Sequence, residues 1–360
     1  MVSVGDESSV GLALATSAAG CGSRAGSSGR RTGRPGAPVW TDRDDGPVTT
    51  PTDLSPEIPG RLADALRSGR FAVTAEVGPP RGADLAPVRR AAQVLRGWVD
   101  AVNVTDNQGA NVRVSSLAGS LALLDEGVEP VMQMTCRDRN RIALQSDLLA
   151  ASALGVPNLV LMTGDRPERG DHPDAAPVFD LDSGALMAAA RTLRDDGTLL
   201  SGRAVEPPPR YLLGAVDSPG PSADRFEQKV DGGAQFVQTQ FVFDIAAFGG
   251  WLGQVRDRGL DTRCGVLAGV GPIRSLRALE FMSSIPGVVI PEALQRRLRG
   301  VPADRVAAEG VAACVETLQE LRELPGVAGV HVMVVGDERG VPEILEAAGM
   351  TRASWVAPTS

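Results

Sequence analysis

Aromatic residues make up only 4% of this 360-residue chain, so its core must be filled mainly by Val, Leu, Ala and Ile. Cysteine is also scarce, and no two cysteines stand in the CxxC spacing that closes many zinc sites. We therefore expect neither a metal site nor a disulfide framework, but free thiols in a reducing cytoplasm. The four cysteines are Cys21, Cys136, Cys264 and Cys314.

Long apolar runs and an excess of positive charge are missing as well. No stretch approaches the roughly 20 apolar residues of a membrane span. The formal net charge of −8 disfavours nucleic acids and anionic membranes as partners, because both repel an acidic protein at long range. The mildly apolar run at 10–21 ends in Cys21 like a lipoprotein signal, but Asp6 and Glu7 precede it where such signals carry Lys or Arg. We expect no export.

Two common nucleotide-binding glycine motifs are absent. No GxGxxG follows an apolar run and no GxxxxGK[ST] occurs, which disfavours a Rossmann or P-loop fold. Residues 1–58 are rich in Gly, Ser, Pro, Arg and Asp without helical or strand periodicity, so we expect a disordered tail there. At Ser55, a Ser-Pro-Glu sequence offers an N-cap, an N1 proline and a favourable charge, which predicts a helix running through Leu66. The folded domain is expected over 59–360.

Eight short apolar runs recur beyond this point, mostly continuous instead of alternating, as is typical of parallel strands covered on both faces. Helical patterns with apolar residues three and four apart lie between them, as at 84–96 and 141–154. Strand-to-strand spacings near 30 residues fit βα units, and eight such units predict a closed (β/α)8 barrel, or TIM barrel. The eight runs are 71–77, 99–104, 130–134, 158–162, 211–216, 235–239, 264–269 and 329–334.

In such barrels the reactive groups lie at the carboxyl ends of the strands, where eight loops converge on one pocket. Glu76 ends the first run and is followed by Gly78, Pro79 and Pro80, which should turn the chain away abruptly. A half-buried carboxyl group at this place could hold a proton for delivery at neutral pH. The alternative is a structural glutamate that pairs with an arginine across the barrel.

Further strand ends offer polar groups, each with a structural alternative. Asp165 follows the fourth run, where it could accept hydrogen bonds from an aminopyrimidine edge, offset cationic charge, or simply cap a helix. Gln240 follows the sixth run, where its amide could bind a flat heterocycle or be satisfied by backbone groups. The CRDRNR sequence after the third run could bind a carboxylate or phosphate tail, or form a solvated loop with Asp138 as an N-cap.

Taken together, six segments resemble the methylenetetrahydrofolate reductase family over roughly residues 70 to 335. Each is only moderately specific, but they occur in order, and the first five overlap or directly follow predicted strands. The CRDRN form resembles the branch also found fused to homocysteine methyltransferases. The segments are EVGPPRG from Glu76, NVTDN from Asn103, MTCRDRN from Met134, LMTGD from Leu161, KVDGGAQFVQTQFVFD from Lys229 and VVIP from Val288.

The resemblance implies a reductase of one-carbon metabolism. Such an enzyme converts 5,10-methylenetetrahydrofolate to 5-methyltetrahydrofolate with hydride from NADH or NADPH, which passes through FAD. Glu76 would be the general acid that helps to open the five-membered ring of the substrate to an iminium ion. Asp165 would lie beside the pterin and the flavin, and Gln240 would hydrogen-bond the pterin. A homo-oligomer is a further expectation.

The resemblance also implies a set of flavin-binding positions, and two of them depart from the family pattern. Thr105 and Lys229 match positions that contact FAD, with Lys229 suited to a phosphate. Gln133 stands where many members have His, and Thr163 where many have Arg. If flavin were absent, hydride would pass directly from NADH to the iminium carbon. The expected cofactor-binding residues are Thr105, Asp106, Gln133, Thr163, Gly164 and Lys229.

Two alternatives to the reductase remain open at this point. A corrinoid- or folate-dependent methyl-transfer component on a similar barrel would be expected to show a zinc-binding cysteine cluster or a partner-docking motif, and neither is visible in the sequence. A catalytically silent folate-binding subunit would be expected to lack Glu76 or Asp165, and both are present. The reductase is therefore the favoured interpretation.

Overall fold

The computed structural model describes residues 54–55, 57–334 and 337–350. Eight strands form one closed parallel barrel, in which each strand pairs with the next along the chain and the eighth pairs with the first. The predicted (β/α)8 barrel is thus confirmed. The strands are β1 (Ala72–Val77), β2 (Ala101–Val104), β3 (Pro130–Thr135), β4 (Asn158–Met162), β5 (Leu212–Asp217), β6 (Phe236–Phe241), β7 (Gly265–Val270) and β8 (Val327–Val332).

At least one α-helix follows each strand in the described residues. Short 3-10 turns at Gln108–Ala110 and Pro167–Arg169 follow β2 and β4. No helix in the described part of the chain is long and apolar enough to cross a membrane. The α-helices are α1 (Arg61–Ser68), α2 (Ala86–Leu95), α3 (Ser116–Asp125), α4 (Arg141–Ala153), α5 (Ser183–Asp195), α6 (Asp224–Gly232), α7 (Ile245–Asp257), α8 (Leu276–Ser283), α9 (Glu292–Arg299), α10 (Val306–Glu323) and α11 (Gly340–Ala347).

The first helix does not begin where the sequence predicted. It starts at Arg61, after Gly60, and not at the Ser-Pro-Glu sequence that begins with Ser55. The buried carboxylate of Glu129, directly before β3, accepts hydrogen bonds from the backbone N–H groups of Arg61 over 2.5 Å and of Leu62 over 3.1 Å. A carboxylate from elsewhere in the fold therefore satisfies the first turn of α1, in place of the predicted serine cap.

Helix α1 closes the amino-terminal end of the barrel with an apolar cluster, which we call the floor. Leu54, Ile58, Leu62 and Leu66 contribute to the floor from the chain ahead of β1, and every strand adds one side chain. Leu54 and Ile58 thus pack in a buried cluster, although the sequence placed them in the tail. The strand residues of the floor are Ala72, Ala101, Val131, Val160, Leu212, Phe236, Leu267 and Ala328.

Strand β1 shows how the barrel divides its side chains between two faces. Val73, Ala75 and Val77 belong to the main core, whereas Ala72 belongs to the floor. Because side chains alternate along a strand, Thr74 and Glu76 must lie on the same face as Ala72, inside the barrel. Glu76 is therefore the interior residue nearest the carboxyl end of β1.

Candidate active site

Directly above the floor, four buried polar side chains from four strands contact one another inside the barrel. Thr74, Asn103, Gln238 and His331 are each at most 3% exposed. Asn103 Nδ2 donates to Gln238 Oε1 over 2.6 Å, and Gln238 Nε2 donates to Asn103 Oδ1 over 2.9 Å. Since β2 and β6 are not neighbours, these bonds cross the barrel interior. Thr74 Oγ1 lies 2.9 Å from His331 Nδ1. We call this group the polar layer.

Glu76 lies against the polar layer, towards the carboxyl end of the barrel. Its Oε2 accepts a hydrogen bond from Gln133 Nε2 over 3.0 Å and lies 3.9 Å from His331 Nε2. Its side chain is 21% exposed. The partners of Glu76 in the described residues are thus an amide and an imidazole, not the arginine of the structural alternative. Its other oxygen, Oε1, has no hydrogen-bond partner in this part of the chain, so it is the atom that can reach a ligand.

Asp165 lies in the loop after β4, with its side chain 45% exposed and its Oδ1 3.6 Å from Arg169 Nη1. It is not a helix cap, because the 3-10 turn that follows begins after Arg166 and has no side-chain cap. The backbone carbonyl of Asp165 accepts a hydrogen bond from Arg137 Nη1 over 3.3 Å. Arg137 Nη2 also donates to the carbonyl of Asn107, beyond β2, over 3.3 Å. Arg137 therefore ties together the loops that follow β2, β3 and β4.

The arginines after β3 do not form a free cationic patch, and the loop that the sequence allowed there is only partly solvated. Arg137 is only 3% exposed, and Asn140, not Asp138, caps α4. Each arginine is neutralised by a carboxylate, which leaves no uncompensated cation in this segment for an anionic ligand. The pairs are Arg137 with Asp138, Arg139 with Asp106 and Asp147, and Arg141 with Asp180.

Gln240 lies at a bulge near the end of β6. Gln238 pairs with Leu267 but Phe241 pairs with Gly269, so β6 has one more residue than β7 between these two positions. A Cβ at Gly269 would lie 2.7 Å from the carbonyl oxygen of Gln240, so the bulge requires glycine there. Gln240 Oε1 accepts a hydrogen bond from the Phe241 N–H over 3.1 Å. Its amide NH2 group has no protein partner in the described residues and can donate to a ligand.

Two of the positions expected to hold FAD are engaged with protein groups. Asp106 Oδ2 accepts hydrogen bonds from the backbone N–H of Thr135 over 2.8 Å and from its hydroxyl over 2.9 Å, and it also pairs with Arg139. The amide of Gln133 donates to Glu76. Binding a cofactor through either side chain would replace contacts that hold the mouth of the barrel.

Three further positions of the expected FAD set lie near the ends of β2 and β4. Thr105 is 1% exposed, and its hydroxyl has no hydrogen-bond partner in the described residues. Thr163 is exposed. Gly164 adopts a φ of 90°, and a Cβ there would lie 2.8 Å from the Thr135 side chain, so only glycine fits. None of the three carries the positive charge that a diphosphate favours.

Lys229, the only lysine of the chain, is paired with Asp217 at the end of β5. Its Nζ lies 3.7 Å from Asp217 Oδ1, and the Asp217 side chain is 2% exposed. Burial raises the pKa of Asp217, while Lys229 and the exposed Arg225 oppose the rise. If Lys229 turned to a phosphate, Asp217 would keep only the exposed Arg225, 3.5 Å away, as a cationic partner. The residues present therefore do not fit FAD in the way that the resemblance places it.

Sequence reasoning singled out Glu76 as a candidate but missed the polar layer that lies next to it. Thr74, Asn103, Gln238 and His331 are polar residues within mainly apolar strand runs, and such interruptions are a usable signal because buried polar groups need partners. The pairing itself could not be read from the sequence, since it joins residues more than 90 positions apart across the barrel. Arg137 was misjudged for the same reason.

Comparison with known proteins points to one family. The family model for methylenetetrahydrofolate reductase matches residues 61–349. A probable methylenetetrahydrofolate reductase (NADPH) from Caenorhabditis elegans is 25% identical over 288 residues, which cover 76% of this chain and 42% of that protein. A 5,10-methylenetetrahydrofolate reductase from Pectobacterium carotovorum subsp. carotovorum is 23% identical over 244 residues, which cover 66% of this chain and 76% of that protein. The chain spans about two fifths of the length of its eukaryotic relatives.

A solved structure has a fold similar to that of this chain. A protein from Clostridium thermocellum, described as binding two copies of 5-methyl-5,6,7,8-tetrahydrofolic acid, has a TM-score of 0.53 at 15% identity, with 77% of this chain and 93% of that chain covered. At this identity the likeness concerns the fold alone. The family match, by contrast, covers most of the sequence and includes Glu76, Asp165 and Gln240. The chain belongs to the methylenetetrahydrofolate reductase family.

Proposed function

We propose that this protein reduces 5,10-methylenetetrahydrofolate to 5-methyltetrahydrofolate with hydride from NADH or NADPH. Glu76 carries this proposal. Gln133 donates to its Oε2, while Oε1 has no hydrogen-bond partner among the described residues and lies near the carboxyl end of the barrel, where such folds place their reactive groups. Family membership and the names of the relatives support this choice of substrate.

The reaction requires a proton as well as a hydride. When N10 of the substrate takes the proton from Glu76 Oε1, the bond between N10 and the methylene carbon breaks, and N5 retains that carbon as an iminium group. Hydride from the nicotinamide then adds to the methylene carbon and forms the methyl group. Glu76 ends the cycle as a carboxylate and must regain a proton before the next one.

Asp165 and Gln240 are suited to orient and stabilise the pterin. The carboxylate of Asp165 would offset the positive charge of the iminium group, and Arg137 fixes the loop that carries it. The free NH2 group of Gln240 would donate to an acceptor atom of the heterocycle, aimed by the bulge in β6. These contacts would hold the methylene carbon in one position relative to the hydride donor.

For this chain we propose direct hydride transfer from the nicotinamide to the methylene carbon, without FAD. The pairing of Lys229 with Asp217 and of Asp106 with Arg139 supports this route, as do Gln133 and Thr163 in place of residues common in the family. A visible absorption spectrum of the purified protein tests it, since bound flavin absorbs where polypeptide does not. A colourless, active preparation is expected; a tightly held flavin that turnover requires would contradict direct transfer.

We place the enzyme in the cytoplasm. Cys136, Cys264 and Cys314 are free and buried, and burial raises the pKa of the Cys136 thiol to about 11. Unpaired, unreactive thiols of this kind are typical of a reducing compartment. A homo-oligomer remains a prediction, which light scattering of the purified protein would test.

The activity is tested by following NADH or NADPH oxidation in the presence of 5,10-methylenetetrahydrofolate. In Glu76→Gln the amide keeps the shape of the side chain but has no acidic proton, so turnover should fall by about 100-fold or more with the fold retained. Glu280→Gln, on the exposed face of α8, is the matched control and should leave turnover unchanged. Near-wild-type turnover in Glu76→Gln would remove the proposed general acid.

A further inference from the structure

The polar layer has no role in the proton and hydride steps described above, yet it occupies the interior directly next to the proposed acid. Buried polar side chains are disfavoured unless they are fully hydrogen-bonded, so four of them in a barrel interior call for an explanation. The link to the acid is His331, which lies between Thr74 Oγ1, 2.9 Å from its Nδ1, and Glu76 Oε2, 3.9 Å from its Nε2.

The protonation of His331 matters because its two ring nitrogens face different groups. In a neutral imidazole one nitrogen carries the proton and the other accepts a hydrogen bond. With the proton on Nε2, the ring presents an N–H group to Glu76 and stabilises the carboxylate that remains after proton transfer. With the proton on Nδ1, the ring would present a lone pair to that carboxylate and oppose its formation.

The neighbouring amide of Gln238 distinguishes these two tautomers. One hydrogen of Gln238 Nε2 is used by Asn103 Oδ1. The second faces Thr74 Oγ1 at 3.2 Å and His331 Nδ1 at 3.4 Å. A donor in this position opposes a proton on Nδ1, because two N–H groups would then face each other. The Thr74 hydroxyl can also donate to the Val330 carbonyl oxygen, but that contact is longer, 3.4 Å against 2.9 Å to His331 Nδ1. The favoured pattern therefore runs in one direction: Gln238 donates to Thr74, Thr74 donates to His331 Nδ1, and His331 Nε2–H faces Glu76.

Asn103 keeps Gln238 in this orientation. Its Nδ2 donates to Gln238 Oε1 over 2.6 Å, so the amide of Gln238 is held at both its oxygen and its nitrogen. We infer that the reciprocal amide pair Asn103–Gln238 fixes His331 as the Nε2–H tautomer and thereby positions an N–H donor towards the proposed acid, Glu76. Asn103, Gln238 and His331 are positioning residues in this account, and the inference rests on the proposed function of Glu76.

Two isosteric variants test whether the donor of the Gln238 amide must face His331, or whether any polar group in the layer is enough. Gln238→Glu replaces the Nε2 donor by an oxygen. When this carboxyl group takes a proton, the proton goes to Asn103 Oδ1, where Nε2 donates now, so a lone pair faces His331 Nδ1. Asn103→Asp makes the same chemical change one side chain away, but both hydrogens of Gln238 Nε2 remain available as donors. A carboxyl group buried here can also take a proton and still donate to Gln238 Oε1, as Asn103 does now. Only Gln238→Glu should therefore move the proton of His331.

The tautomer is read directly by NMR of protein labelled with 15N in its histidine rings. The chain has only two histidines, and His172→Gln identifies the signals of His331. We expect a proton on Nε2 and a bare Nδ1 in the wild type and in Asn103→Asp, and a proton on Nδ1 in Gln238→Glu. A wild-type ring protonated on Nδ1 overturns the inference even if neither variant folds. So does a Gln238→Glu protein with the wild-type pattern, or an Asn103→Asp protein that loses it.

Kinetics then connects the tautomer to the chemistry. Gln238→Glu should lower kcat at least 10-fold relative to Asn103→Asp, with KM for the folate changed less than twofold, because Gln238 and His331 are at most 3% exposed. Equal kcat values for the two variants would refute the positioning role. If the wild type shows no reductase activity, the proposed function fails, whereas the NMR result still decides whether the amide pair sets the tautomer.

Discussion

Gln133 donates a hydrogen bond from Nε2 to Glu76 Oε2 over 3.0 Å, although β2 lies between the strands that carry the two residues. The bond crosses the interior of the barrel and selects one of the two carboxylate oxygens. A donor at Oε2 favours Oε1 as the oxygen that carries the proton when Glu76 is protonated. Gln133 thus decides from which atom the proposed acid can deliver its proton.

Gln133→Met tests this relationship. Methionine has a similar length but cannot donate, so Glu76 would lose a hydrogen bond to its charged form, typically worth about 1.5–3 kcal/mol. We expect kcat to fall by about 10- to 100-fold, with a smaller change in KM, in steady-state kinetics. An unchanged kcat would show that the second oxygen needs no fixed donor.

Arg137→Lys tests how the loop of Asp165 is held. A lysine cannot reach the carbonyls of Asp165 and Asn107 together, because it lacks the planar fork of the guanidinium group. We expect KM for the folate to rise and the free energy of unfolding to fall by about 2 kcal/mol in urea titrations. Arg89→Lys, whose exposed pair with Asp125 joins helices α2 and α3 and no strand-end loop, is the control and should change neither quantity.

Lys229→Met should destabilise the protein in a pH-dependent way. Burial raises the pKa of Asp217, so the folded protein binds this proton more tightly than the unfolded chain does, and stability falls as the pH rises through the interval between the two pKa values. Loss of Lys229 raises the folded-state pKa of Asp217 further and extends that interval upward. The drop in the free energy of unfolding should thus be larger at pH 8 than at pH 5.

Urea titrations at both pH values provide the measurement, and Asp217→Asn provides the control. In the double variant the carboxylate is absent, so most of the pH-dependent part of the loss should disappear. If Lys229→Met lost the same stability at both pH values, or if the double variant kept the pH dependence, Lys229 would be free of the role assigned to it and available for a phosphate.

Gly269→Ala tests the bulge that carries Gln240. The added Cβ would lie 2.4 Å from the Thr239 carbonyl oxygen, so the backbone of β6 or β7 would have to move. We expect a loss of about 1–3 kcal/mol of stability by chemical denaturation, together with a higher KM for the folate. Gly253→Ala within α7 meets no atom within 4 Å and should be neutral or stabilising. Equal effects for the two variants would contradict a special role of the bulge.

The apolar runs were sufficient to predict the barrel. Each predicted strand overlaps an observed one, with boundaries that differ by at most two residues, because strands covered on both faces carry their signal in continuous apolar sequence. The start of α1 was wrong because Glu129, 68 residues from Arg61, satisfies the helix end. Local capping rules do not include such a partner.

From the sequence, candidate site residues could be proposed only from their position along a predicted strand. Glu76 could be found because it ends an apolar run, and the carboxyl ends of barrel strands converge. The groups that contact Glu76 could not be predicted in the same way, because Gln133 and His331 come close to Glu76 only once the sheet has closed into a barrel. The arginines after β3 show the same limit. Their sequence indicates charge, but Asp106 and Asp180, which pair with Arg139 and Arg141, lie on the loops after β2 and β4, so this neutralisation depends on the fold. The burial of Arg137 depends on the fold as well.

The apolar floor has a consequence for successive turnovers. Leu62, Leu66 and one side chain from each strand seal the barrel on the side away from Glu76, and they offer no group that could relay a proton from that side. If Glu76 is the acid, the proton that replaces the one it has given must therefore arrive through the same opening that admits the folate. Glu76 could then not be reprotonated while the pocket is occupied. Each new cycle would have to wait until the methylated product has left.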